Sequence, residues 1–268
     1  MIASRWLLVL LIGSAVSAQT PVRVDLNSGP GPLVGSEPRE LFRAAGGAFF
    51  SACTPEHGCE LWRSDGTEAG TQLVKDIRPG ANGSAPFAFG ADAAGQFVYF
   101  SAEDGSHGRE LWRSDGSANG TQLVADLVPG LDGSHPQSIH PAGGNAVVFT
   151  AVTNALGREL YRSSGISIEL VVDLLPGVGS GVANNTGGVP DLVAVSGNRV
   201  VFAGDAPGIG TEPFVSNGTA AGTQVIRDIA VGGSSSPFDF VAIGSGVAFI
   251  ARTPADGDEL YLSDLTSA

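Results

Sequence analysis

The sequence predicts an all-β protein, a closed ring of five repeats that each supply four short strands. Three observations lead there. The motif ELWRSDG stands at residues 60–66 and again at 110–116. Degenerate copies follow at Glu159-Leu160-Tyr161, Glu212-Pro213-Phe214 and Glu259-Leu260-Tyr261, so the glutamates recur at spacings of 50, 49, 53 and 47. The 39 glycines and 16 prolines make about a fifth of the 268 residues, against roughly 12% in an average chain, yet 43% of the residues are hydrophobic and can build a core. Finally, the two ends of the chain hold complementary parts of one repeat.

Each repeat contains four elements in order. The first follows a proline (Pro38, Pro86, Pro136, Pro190, Pro237). The second is apolar, at 47–50, 97–100, 146–149, 199–202 and 247–250. The third is the ELW run. The fourth lies at 73–77, 123–127, 170–174 and 225–229. The runs are rich in Val, Ile, Phe and Tyr, and clusters of Gly, Asp, Asn, Ser and Pro separate them, which is the strand-and-turn signature. Four strands in about 50 residues is the period of a β-propeller blade. The runs are almost continuously apolar because neighbouring blades cover both faces. The strand after the proline follows the longest connection, so it is the innermost, and the fourth run is the outermost. The blades are then 38–77, 86–127, 136–174, 190–229 and 237–264. The last lacks a fourth strand, and residues 21–26 read as that strand, with Gly29 standing where the other copies have Gly80, Gly130, Gly177 and Gly232. Pairing of this N-terminal strand with the C-terminal blade would close the ring and remove open sheet edges. An open solenoid of β-repeats would need no such matching halves.

The string from Glu60 to Thr67, continued by Gly70-Thr71, Leu73-Val74-Lys75-Asp76-Ile77 and Pro79-Gly80, resembles the ELWxxDGT repeat family of exported bacterial proteins with propeller-like repeats. The resemblance covers about residues 22–264. It departs at Ser164-Gly165-Ile166 and Asp264-Leu265-Thr266, where the DGT is lost. It implies a fold and export, not a reaction.

The N-terminus carries one cation, an apolar run at 7–12 and small residues at Val16 and Ala18, the pattern of a secretory signal peptide over residues 1–18. The run is too short to span a bilayer of roughly 30 Å. Residues 19–268 then form a single propeller domain. Cys53 and Cys59 are the only cysteines. Export favours a disulfide between them, and a zinc site would need two further ligands where only His57 lies near. The net charge is −13, and loss of Arg5 with the leader takes it to −14. With 14 Lys and Arg in all, a nucleic-acid surface is excluded, because phosphate binding needs a dense cationic face. The acidity favours cationic partners over anionic polymers.

The repeated acids Glu60, Glu110, Glu159, Glu212 and Glu259, and Asp76, Asp126, Asp173 and Asp228, read as turn holders that accept backbone N–H bonds. Trp62 and Trp112 share a slot with other aromatics and read as packing between blades rather than sugar platforms. Asp-Gly-Thr between two strands reads as a hairpin turn, with Gly supplying positive φ. It lacks the alternating oxygens and distant Glu of an EF-hand loop. No cofactor is expected, and calcium is the one metal these acidic turns leave open. The string Gly177-Val178-Gly179-Ser180-Gly181 does not fit a nucleophile elbow in register.

The loops between second and third strands vary from blade to blade. With the insertion at 177–189 they make one rim, where His57, Asp104, His107, Asp132, His135, Asn185, Asp205 and Asp256 are the candidate binding residues. His57, His107 and His135 could converge there. The reading is a secreted or periplasmic, monomeric binding or scaffold module for a glycan, surface polymer or protein. The alternative is a five-bladed glycoside hydrolase with Glu40, Asp191 and Asp239 facing the channel. Glu40 and Asp239 read as lying at different offsets in their strands, which leaves their common orientation open.

Overall fold

The structure, a computed structural model, describes residues 23–27, 35–44, 46–183, 192–195 and 197–265. The expected signal peptide, Asn185 and Asp191 lie outside the described residues. Nineteen strands form five antiparallel meanders. The first blade comprises β1 (Arg39–Ala44), β2 (Gly47–Thr54), β3 (Gly58–Ser64) and β4 (Gln72–Lys75). The second comprises β5 (Phe87–Ala91), β6 (Val98–Glu103), β7 (Arg109–Ser114) and β8 (Gln122–Ala125). In the third are β9 (Gln137–Pro141), β10 (Val147–Thr153), β11 (Gly157–Ser163) and β12 (Ile168–Val172). In the fourth are β13 (Val193–Val195), β14 (Arg199–Ala206), β15 (Gly210–Ser216) and β16 (Gln224–Val225). The fifth has β17 (Phe238–Ile243), β18 (Gly246–Thr253) and β19 (Gly257–Ser263).

Strand order in every sheet follows the chain. The first strands β1, β5, β9, β13 and β17 touch one another in succession, so they are the inner strands. The core sits between blades. Leu61, Val74 and Ile77 of the first blade pack on Phe100, Ala102 and Trp112 of the second. Leu111 and Val124 pack on Phe149, Ala151 and Tyr161 of the third, and two further interfaces repeat the pattern. The ELW strand thus turns its Leu to the following blade and its aromatic to the preceding one, because successive side chains on a strand point to opposite faces. Burying both faces removes most of this apolar surface from water, at about 25 cal/mol per Å².

The inner strands carry an irregularity. The pairing of β1 with β2 shifts register between Arg39 and Phe42, and that of β17 with β18 between Phe238 and Val241. Glu40 and Asp239 sit in these bulges at φ +57° and +53°, as do Ala88 and Ser138 in their own blades. All four stand two residues after their proline. This corrects the sequence-based expectation that Glu40 and Asp239 occupy different offsets: their positions are equivalent, and the proline fixes the register.

Closure is the second point of difference. Among the described residues the fifth sheet has three strands. Residues 23–27 form no strand on β19. Instead Leu26 packs on Phe50, Ala52 and Trp62 of the first blade. The expected pairing with the C-terminal blade is not seen among the described residues.

Candidate functional site

The repeated glutamates lie at the heart of each blade's exit. Glu60 is fully buried on β3. It accepts hydrogen bonds from the N–H groups of Ile77 (3.1 Å), Arg78 (2.9 Å) and Ser84 (3.0 Å), and from the Ser84 hydroxyl (2.5 Å). Glu110 accepts from Val128 N–H and from both the N–H and the hydroxyl of Ser134. Glu212 accepts from Ile229, Ala230 and Ser235 in the same way. Each carboxylate thus ties the third strand to the exit of the fourth and to the connection leading inward. The tie reaches the next blade, because the Ser84 carbonyl accepts from Glu103 N–H (3.0 Å) on β6. Burial pushes the Glu60 and Glu110 carboxyls up, and the serine and backbone donors pull against it. In the third blade Gly181 replaces the serine, and Glu159 keeps only the Leu174 and Gly181 N–H groups. With no hydroxyl to offset burial, its carboxyl is pushed up to about 7.

The serines were missed in the sequence reading. The signal is there: Ser84, Ser134 and Ser235 each stand two residues before the proline of the next inner strand. The aspartates of the fourth strands do something different. Asp76, Asp126, Asp173 and Asp228 each keep one buried oxygen without a hydrogen-bond partner. Glu259 is exposed on β19, unlike its four counterparts.

On the opposite rim one turn recurs in the first, second and fourth blades. Asp65 accepts from the N–H (2.9 Å) and hydroxyl (2.7 Å) of Thr67, and the Thr67 hydroxyl accepts from Gly70 N–H (2.9 Å). Asp115 with Ser117 and Asn217 with Thr219 reproduce the network. Neutral Asn serves as well as Asp, so the turn is held by hydrogen bonds rather than charge. Gly66 supplies φ +92°. Among the described residues no three of His, Cys, Asp and Glu gather into a metal-ligating group.

On the variable rim, one cross-strand position differs in every blade. β2 and β3 pair Cys53 with Cys59, which form a disulfide. The same position holds Glu103 and Arg109, Val152 and Arg158, Asp205 and Thr211, then Arg252 and Asp258. The last pair is a two-pronged ion pair at 2.6 and 2.7 Å. Arg109 lies over the Phe87 ring at 4.8 Å and donates to Ala85 and Ser101 carbonyls.

Among the described residues, His57, His107 and His135 form no metal-ligating group. His57 Nδ1 lies 2.8 Å from Asp76, and His107 Nδ1 lies 2.7 Å from Asp104. Burial raises the Asp104 carboxyl, but bonds from the His107 ring, His107 N–H and Ser106 N–H outweigh it and leave it lowered; the same carboxylate raises His107. His135 is exposed, at φ +48°, and its N–H is held by the Arg109 carbonyl. Each histidine is placed by its own connection. Asp132 and Asp256 are exposed and Asp205 is half-buried. Asp256 accepts from the Thr253 hydroxyl within its own turn. Glu40 and Asp239 are exposed on β1 and β17, the first and last inner strands.

No family model matches the chain, and no curated protein matches it. Solved structures do resemble it. A puromycin-hydrolyzing peptidase of Mycobacterium tuberculosis matches at 10% identity and TM-score 0.51, over 86% of this chain and 35% of that one. A puromycin hydrolase matches at 11% identity and TM-score 0.51, over 85% of this chain and 36% of that one. TolB from Acinetobacter baumannii matches at 14% identity and TM-score 0.44, over 79% and 47%. The chain therefore spans about a third of the two peptidases. At this identity the likeness to the two peptidases concerns fold alone: the scaffold here is of the β-propeller kind.

Proposed function

We propose that this chain is an exported five-bladed propeller, closed by its own N-terminal segment, whose variable rim binds a glycan, surface polymer or protein. The single observation that carries the binding reading is the contrast between the two rims. One repeats a single hydrogen-bonded turn in the first, second and fourth blades, even where Asp65 becomes Asn217. The other changes its chemistry at one fixed register position in all five blades. Variation confined to loops on a constant frame is how scaffolds of this sort present recognition surfaces. The disulfide fits an oxidising compartment. No helix among the described residues is long and apolar enough to cross a membrane.

The test is a binding survey against surface polysaccharides, glycans and envelope proteins, with and without calcium. A ligand bound by the intact chain should lose affinity by at least about tenfold, roughly 1.4 kcal/mol, when Asp132→Ala and Asp256→Ala are combined. Binding that ignores rim substitutions, or no binding to any surface material, would overturn the reading.

A further inference from the structure

We infer that the Glu259 carboxylate is the receptor for the N-terminal segment: it takes the Leu26 N–H and Ser36, and so completes the fifth blade. The inference rests on the closed ring proposed above. Four blades present the same fully buried glutamate, loaded with donors from the fourth-strand exit and the inward connection. In the fifth blade the glutamate is exposed and its carboxylate takes no hydrogen bond from the described residues. A charged acceptor set among apolar strand positions calls for the same donors its copies have.

The sequence supplies them at one place. Asp25-Leu26-Asn27 aligns with Asp76-Ile77-Arg78, and Ser36-Glu37-Pro38 aligns with Ser84-Ala85-Pro86. In the first blade the donors to Glu60 are Ile77, Arg78 and Ser84. Of the matching positions, Leu26 and Ser36 are the donors for Glu259, while the Asn27 N–H donates to Asp25 Oδ1 (3.1 Å).

Both ends of that donor set are already seated on the first blade in the way the copies are seated on theirs. Leu26 packs on Phe50, Ala52 and Trp62, the counterparts of the Phe100, Ala102 and Trp112 that receive Ile77. The Ser36 carbonyl accepts from Cys53 N–H (2.7 Å), as Ser84 does from Glu103 and Ser235 from Arg252. Glu37 has φ +42°, beside +44° for Ala85 and +45° for Ser236.

The facing surface is apolar and unfilled. Leu260 is 67% exposed, while Leu61, Leu111 and Leu160 at the same position are fully buried. Leu262 on the same strand is 72% exposed, and a groove on the first blade runs past Val24, Leu26 and Leu41. The occupant is this chain's own segment, because that segment is tethered to the first blade beside the gap.

The experiment places a cysteine pair at Val24→Cys and Leu260→Cys in the full chain. Lys75 pairs with Leu61 in the first blade, so positions 24 and 260 become cross-strand neighbours, within the Cα separation a disulfide needs. Mild oxidation followed by non-reducing peptide mapping should find the cross-link within one chain. Glu259→Ala in that background should slow its formation by about tenfold, as loss of a charged hydrogen-bond acceptor implies. Ser36→Ala should slow it less, and Asp258→Ala should leave it unchanged. A cross-link that forms as fast with Glu259→Ala would remove Glu259 from the closure and leave the closed ring standing. No cross-link, or one between two chains, would overturn the ring and the inference together.

Discussion

Glu159 is the residue whose environment has the clearest consequence. Its carboxyl titrates near 7 in the folded chain and near 4.5 when exposed. Between those values the folded state holds a proton that the unfolded state has lost, so stability falls as pH rises through this window. The contribution is complete below pH 4.5 and amounts to about 3 kcal/mol at most. Chemical denaturation from pH 4.5 to 7.5 should therefore show a decline that Glu159→Gln reduces; equal pH slopes for parent and variant would contradict this. At the opposite rim, a Cβ on Gly70 would lie 2.0 Å from Asp65 Oδ1. Gly70→Ala should cost about 1–3 kcal/mol by breaking the turn network, read as a lowered denaturation midpoint. The motif Gly-Thr after DGT was visible in the sequence, but the reason for its glycine was not, because it depends on a side chain five residues back. The buried serines went unnoticed for a similar reason: their partner lies 24 residues earlier on another strand.

At the level of strands, the order of elements was legible because the apolar runs and prolines recur in register. The bulge in the inner strands was not. It is one extra residue on the inner strand, shown by the shifted pairing and by the left-handed φ of Glu40 and Asp239, a matter of backbone geometry rather than of apolar runs. The rim histidines were legible as rim residues, whereas their partners Asp76 and Asp104, which each anchor one ring, were not. The disulfide acts on one element. It joins β2 to β3 across a separation of 6 residues, and chain-entropy arguments give about 2 kcal/mol for a loop this short. Reduction should lower the stability of the intact chain by that amount and raise amide exchange in residues 53–59 most. Uniform loss of protection across all blades would contradict a local role.

For the whole molecule, stability comes from interfaces between blades, so an unfilled seam is expensive. Four interfaces are complete, while Phe50, Ala52 and Trp62 have only Leu26 and Leu73 beside them. Deleting residues 19–27 should lower the melting temperature and promote aggregation through the open edge of β19. The count of five blades was legible from the repeat alone. The state of the seam was not, because the proposed closure would join residues more than 220 positions apart and no local pattern fixes such a contact. The most direct measurement is native-state amide exchange in residues 257–263 compared with residues 157–163. A closed ring leaves both third strands paired on two sides, so their protection should match. If about half the amides of 257–263 exchange as freely as an open sheet edge, the chain is not closed by its N-terminal segment.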